Sequence, residues 1–189
     1  MSAAFAAAVS GVTSGAFTPS PELGGPTARP LTNLPTFCRV AATLRPTTDS
    51  EIKIEVWMPL ATWNSKLQAV GNGAWGGVIP YAAMGAAVSA GYVTAGTDTG
   101  HSGNNAKFAV DHPEKLADYG YRAVHEMTVT AKTLISRFYG STQTRSYWNA
   151  CSTGGRQGLM EAQRYPADFD GIIAGAPVYA RTDQLIWQI

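Results

Sequence analysis

Histidine and cysteine are scarce in this sequence, and each scarcity narrows the chemistry open to it. Three histidines and two cysteines, Cys38 and Cys151, stand among 189 residues. The spacing of the two cysteines fits no metal site, and so few histidines argue against a zinc constellation. Charge is thin as well: fourteen basic and thirteen acidic residues leave a net charge of +1, with no basic block longer than two. That balance argues against nucleic acid or an anionic membrane as a partner. No apolar run approaches the ~18 residues needed to span a bilayer. No Lys or Arg precedes Arg29, so the apolar stretch Ala3–Val9 lacks the basic flank of a signal peptide. Either a signal has been trimmed, or the segment is a flexible, alanine-rich start.

What is abundant is apolar side chain and glycine. Hydrophobic residues make up 45% of the chain, with 20 Gly and 11 Pro, a globular and loop-rich composition sufficient for one domain or for part of a larger one. Residues 1–36, rich in Ser, Thr, Gly and Pro from residue 10 on, read as a flexible lead-in. Phe37–Leu44 and Glu51–Pro59 then alternate across the turn cluster Pro46–Ser50. Ile52, Ile54, Val56 and Met58 fall on one side, and Glu51, Lys53 and Glu55 on the other, which predicts an antiparallel hairpin with one buried face.

After the hairpin the rhythm changes. A short strand ending at Val70 runs into the glycine-rich loop Gly71–Gly77. Tyr81–Ala90 is helical in character and is closed by Gly91, and Tyr92–Gly96 is a buried strand. A long helix is expected from about Lys115 to Phe138, with Ala117, Tyr121, Val124, Thr128, Ala131, Leu134, Ile135 and Phe138 on one stripe and Gly140 as its stop. Strand, helix and strand alternate again to Gly171–Pro177. This order predicts an α/β fold, a mostly parallel sheet covered on both faces behind an antiparallel start.

The most informative segment is Ser146–Gly158. An aromatic strand enters a serine, Ser152, flanked by Ala150 and Gly154, and a helix-compatible stretch follows at once. That is the arrangement of a nucleophile elbow, in which the tight turn forbids large residues two before and two after the serine. The backbone N–H of Thr153, at the start of the helix, is a candidate oxyanion donor. A second donor is expected from the glycine-rich loop, at Gly73, where a missing side chain would let the backbone approach.

Trp148–Gly158, followed by Tyr165–Gly171 and Ala174–Pro177, closely resembles the tannase and feruloyl esterase family. Thr97–His101, His112–Leu116 and Tyr119–Glu126 are similar to that family's other blocks, so the likeness runs from about Phe37 to Ala180. It implies an α/β-hydrolase fold, with residues 37–180 as the N-terminal part of the catalytic domain and 181–189 as the start of a lid. It also implies a Ser-Asp-His triad with Ser152 as nucleophile, and a small-molecule aromatic (phenolic) acid ester as substrate. By the same resemblance Cys151 is disulfide-bonded to a cysteine directly after the catalytic histidine, and Cys38 to one further upstream. A structural calcium is implied in the lid, with no cofactor in this chain, and the location is secreted or periplasmic.

One part of the pattern is missing. The fold orders its triad as Ser, acid, His, yet His101, His112 and His125 all precede Ser152. Asp168, Asp170 and Asp183 follow too closely to take the usual acid position. The expectation is therefore a fragment that lacks the triad Asp and His, inactive alone. Two other readings stay open: a non-catalytic α/β binding domain with a vestigial elbow, and a reactive Cys151.

Overall fold

A computed structural model describes residues 4–180. Its centre is a seven-stranded sheet made of β1 (Ala4–Phe17), β2 (Leu31–Arg45), β3 (Ile52–Pro59), β4 (Lys66–Val70), β5 (Val93–Thr97), β6 (Arg145–Cys151) and β7 (Gly171–Gly175). The order across the sheet is β1-β2-β3-β5-β4-β6-β7. β1, β2, β3 and β5 pair antiparallel in succession, while β5, β4, β6 and β7 run parallel. Helices α2 (Tyr81–Ser89), α4 (Ala123–Tyr139) and α5 (Thr153–Arg164) make the crossovers between the parallel strands. Two short helices, α1 (Pro21–Gly24) and α3 (Pro113–Ala117), lie in the connections.

Both faces of the sheet are filled. On one, Leu44, Ile52, Ile54, Val56 and Met58 pack with Val124, Met127, Ala131 and Ile135 of α4. On the other, Phe37, Trp57 and Val70 pack with Tyr81, Met84 and Val88 of α2. The hairpin therefore differs from its expectation of one buried face. Glu55, read from alternation as solvent-facing, is fully buried and accepts hydrogen bonds from the Arg39 guanidinium, Trp57 Nε1 (2.8 Å) and Tyr81 Oη (2.6 Å). A charged residue on a strand signals solvent only when nothing supplies it with donors.

The expected flexible lead-in over 1–36 is also corrected for the residues described. Ala4–Phe17 forms β1, paired along β2, and Leu34 belongs to the core. Small and polar residues there resemble a linker, yet they suit an edge strand, and the pairing is broken by register shifts on either side of Gly15, whose φ is 73°. The expectation that 181–189 opens a lid lies outside the described residues.

The long helix is interrupted. Asp118–Arg122 forms a π-helical turn between α3 and α4, which rotates the later residues out of phase with a single stripe. Val124, Thr128, Ala131 and Ile135 are buried as the spacing requires, whereas Phe138 is 42% exposed. Gly140 ends α4 in the left-handed conformation, φ 69°. No helix among the described residues is long and apolar enough to cross a membrane.

Candidate active site

In the parallel block β4 leads to β5 on one side, and the chain then returns past it to β6 on the other. Crevices at the carboxyl ends of strands around such a reversal are where open α/β sheets bind ligands. Four segments meet at that rim: Gly71–Gly77 after β4, Asp98–His101 after β5, Ser152 after β6 and Ala176–Val178 after β7.

Ser152 joins β6 directly to α5 with φ 62° and ψ −122°. A non-glycine residue in that region is held only by strong surrounding constraint. The constraint is visible. Ser152 N donates to Gly175 O at 3.0 Å, and its carbonyl accepts from Arg156 N at 3.1 Å. A Cβ on Gly154 would overlap that of Ala150, so the small pair anticipated around the serine is a steric requirement. The loop after β4 presses on the same point: a Cβ on Gly71 would lie 2.6 Å from the Trp148 ring and 2.7 Å from Ala150 Cβ and Gly154 Cα. Gly71→Ala is accordingly expected to cost roughly 1–3 kcal/mol through overpacking, read as a lower urea midpoint with unchanged slope. An unchanged midpoint would show that the elbow tolerates displacement.

Sequence reasoning missed the residues that fix this loop to the elbow. Asn72 is 2% exposed; its Nδ2 lies 3.0, 2.7 and 2.8 Å from the carbonyl oxygens of Gly76, Val78 and Thr97. Its main-chain N–H donates to Gln157 Oε1 at 3.1 Å, and Gln157 Nε2 donates back to Asn72 Oδ1 at 3.0 Å. Gly154 N donates to Asn72 O at 2.8 Å, and Thr153 Oγ1 donates to Ala74 O. The loop and the N-terminus of α5 are thus one hydrogen-bonded unit. No local pattern announces it, because Asn72 and Gln157 are 85 residues apart.

Of the anticipated oxyanion donors, Thr153 opens α5, where a helix leaves its first N–H groups without internal partners. Gly73 sits in the loop; its carbonyl accepts from Gly76 N at 2.9 Å, and an added Cβ would meet nothing within 4 Å. Gly73 is therefore not demanded by packing, in contrast to Gly71. Beside Thr153 opens a cleft of about 450 Å³ lined by Trp75, Leu116, Tyr119, Tyr121 and Arg156. The Arg156 guanidinium lies over the Tyr119 ring, 4.8 Å from its centroid, and donates to the Tyr119 and Gly120 carbonyls.

None of the three histidines hydrogen-bonds Ser152. His101 is 7% exposed and stacks on Phe108 with centroids 3.7 Å apart. Its Nδ1 lies 3.3 Å from Thr99 Oγ1, and burial lowers its pKa. His112 Nδ1 contacts Asp49 Oδ1 at 2.9 Å, and His125 Nδ1 contacts Asp168 Oδ2 at 2.6 Å. The carboxylates that follow the serine are engaged too, Asp170 accepting from Ser146 N at 2.7 Å.

Asp98 shapes the β5 rim, its Oδ1 accepting from Lys53 N at 2.9 Å and Gly100 N at 2.8 Å. Burial nonetheless pushes its carboxyl up to about 7. A pKa raised on folding favours the protonated native form, so this group's contribution is whole below its ordinary 3.8 and is lost as pH rises towards 7. Asp98→Asn keeps the acceptor without that loss. The variant should therefore gain urea stability over the parent between pH 4 and pH 8; equal pH slopes would contradict this.

Both cysteines are free thiols. Cys38 lies on β2 and Cys151 ends β6, with β3, β5 and β4 between them. Four strand spacings amount to ~19 Å, far beyond the ~7 Å limit for bridged Cα atoms. A Cys38–Cys151 bond is incompatible with this sheet. As for the calcium expected in a lid, the donor side chains that come together among the described residues are His125, Glu161 and Asp168. That set includes an imidazole, whereas calcium takes oxygen ligands.

A family model described as tannase and feruloyl esterase matches residues 38–189. The chain belongs to the tannase and feruloyl esterase family. It is 37% identical over 168 residues to a probable feruloyl esterase B-1 of Aspergillus oryzae, covering 89% of this chain and 31% of that protein. It is 44% identical over 168 residues to an uncharacterised esterase of Xanthomonas campestris pv. campestris, covering 88% and 28%. Its fold matches the crystal structure of feruloyl esterase B from Aspergillus oryzae with a TM-score of 0.82 at 34% identity, over 93% of this chain and 34% of that one. An esterase from the same organism matches with a TM-score of 0.87 at 33% identity, over 95% and 36%. The expected α/β-hydrolase fold is thereby established. The chain spans only about 30% of the length of these curated family members.

Proposed function

We propose that Ser152 is the nucleophile of a serine carboxylic-ester hydrolase for esters of aromatic, phenolic acids. In this proposal the chain supplies the nucleophile and oxyanion half of the site. The acid and the histidine come from the remainder of a longer protein. The observation that carries the reading is the backbone of Ser152, held at φ 62° and ψ −122° where β6 passes into α5.

The chemistry follows from that placement. Ser152 Oγ attacks the ester carbonyl as its proton passes to a histidine, and the carbonyl π electrons move onto oxygen. The N–H groups of Thr153 and Gly73 stabilise that oxyanion, which costs no reorganisation because the loop is already tied to α5. Collapse expels the alcohol, protonated by the same histidine, and leaves the acid acylated on Ser152. Water, activated in turn, releases the acid. The walls of Trp75, Leu116 and Tyr119 beside Thr153 suit a phenyl ring. The names borne by the family members support the same substrate class.

Cys151, exposed next to the nucleophile, is proposed to pair with a cysteine following the catalytic histidine. Such a bond would hold base and nucleophile in register. It requires an oxidising compartment outside the cytosol.

The experiment is hydrolysis of methyl ferulate and p-nitrophenyl acetate by the 189-residue chain. With no base against Ser152, only weak catalysis is expected, on the order of 10³-fold over water. Turnover near ~10 s⁻¹, the usual enzyme median, would contradict the missing base and promote His101 to that role.

A further inference from the structure

Away from the elbow, three side chains of metal-binding type converge between α4, α5 and the turn before β7. They are His125 on α4, Glu161 on α5 and Asp168. One ligand atom from each lies within 4.8 Å of the others. His125 presents Nδ1 to Asp168 Oδ2 at 2.6 Å, and its ring lies flat on Tyr165, centroids 3.8 Å apart and planes 9° apart. The ring is therefore oriented and not free to swing away. Glu161 is the telling member: the residue is 1% exposed, and neither carboxylate oxygen meets a hydrogen-bond donor. Burial, with the Asp168 carboxylate beside it, holds the Glu161 carboxyl above its usual pKa, so in the absence of an ion a proton on Glu161 bridges to Asp168. A divalent ion placed there would take over from that proton and compensate the burial of both carboxylates.

We propose that His125 Nδ1, Asp168 and Glu161 bind one divalent transition-metal ion of the zinc class, as a structural site. The donor set selects the ion. One imidazole nitrogen with two carboxylates suits zinc, and two negative charges balance the ion's own. Calcium and magnesium take all-oxygen shells and are disfavoured. His125, which is partly exposed, gives the ion a route from solvent and leaves the fourth position to water. Donors on a tetrahedral zinc stand ~3.3 Å apart, given bonds of ~2.0–2.2 Å. The His125–Asp168 contact, now 2.6 Å, must open slightly to admit the ion. The bound ion ties α4 to α5, the helix that starts at Ser152, and to the turn leading into β7. The proposal does not depend on the esterase reading.

The test is calorimetric titration of zinc chloride into the chain stripped with EDTA, with its cysteines alkylated to remove the competing thiols. One ion per chain and a higher Tm are expected, with calcium chloride producing neither. His125→Gln and Glu161→Gln should each weaken zinc binding at least tenfold, whereas His112→Ala should not. Zinc-edge absorption of the unalkylated parent needs no variant. A shell of nitrogen and oxygen at ~2.0–2.2 Å supports the site, and sulfur at ~2.3 Å overturns it. Absence of saturable binding, or affinity untouched by both glutamine variants, overturns it equally.

Discussion

Replacing Ser152 with alanine in the longer protein proposed above is expected to lower kcat for methyl ferulate by on the order of 10⁶, as loss of a triad serine does elsewhere. The fold should be untouched. The side chain stands on a turn at the strand end and fills no part of either core cluster; its removal leaves no cavity. Equal Tm values with a collapse of kcat would match this account. A variant retaining more than a tenth of parental kcat would remove Ser152 from the chemistry. Cys151→Ser separates the neighbouring thiol from the nucleophile. Losing the proposed disulfide should lower Tm and the precision of the base while leaving acylation at Ser152.

The second large effect is on stability. Arg39→Ala is expected to destabilise the fold by about 3–5 kcal/mol, because it strips a buried carboxylate of its counter-charge. Glu55 has no exposure, and the Arg39 side chain retains only 28%. Trp57 and Tyr81 continue to donate to Glu55, but neutral donors do not cancel its charge. Arg39 also lies over the Phe17 ring, 5.2 Å from the centroid, so β1 and the second core cluster loosen together. Urea unfolding at pH 7 measures the loss. A cost below ~1 kcal/mol, the range of an exposed pair, would contradict the role given to Arg39.

The sequence made some of this architecture readable and hid the rest, for identifiable reasons. Local periodicity marks β2 and β3 because their apolar residues repeat every second position. The elbow is legible because its constraint is local, small residues flanking one serine between strand and helix. β1 is not legible, since Ala, Gly, Ser and Thr satisfy an edge strand and a linker equally well. Glu55 misleads because its donors are Arg39, Trp57 and Tyr81, of which only Trp57 is a near neighbour in the chain. The Asn72–Gln157 clamp and the His125–Asp168 contact span 85 and 43 residues and leave no periodic trace. In the site, then, the strained serine turn could be read from the chain, whereas the residues that hold its surroundings could not.

The central claim is that Ser152 is the nucleophile. It is tested most directly by incubating the proposed longer protein with diethyl p-nitrophenyl phosphate, followed by peptide mass spectrometry. A P–O bond to the active serine forms as p-nitrophenolate leaves. The account predicts one diethylphosphoryl group per chain, on the peptide containing Ser152, with esterase activity lost in proportion to labelling. Stoichiometric inactivation with the label on any other residue, or full inactivation with Ser152 unmodified, would contradict it.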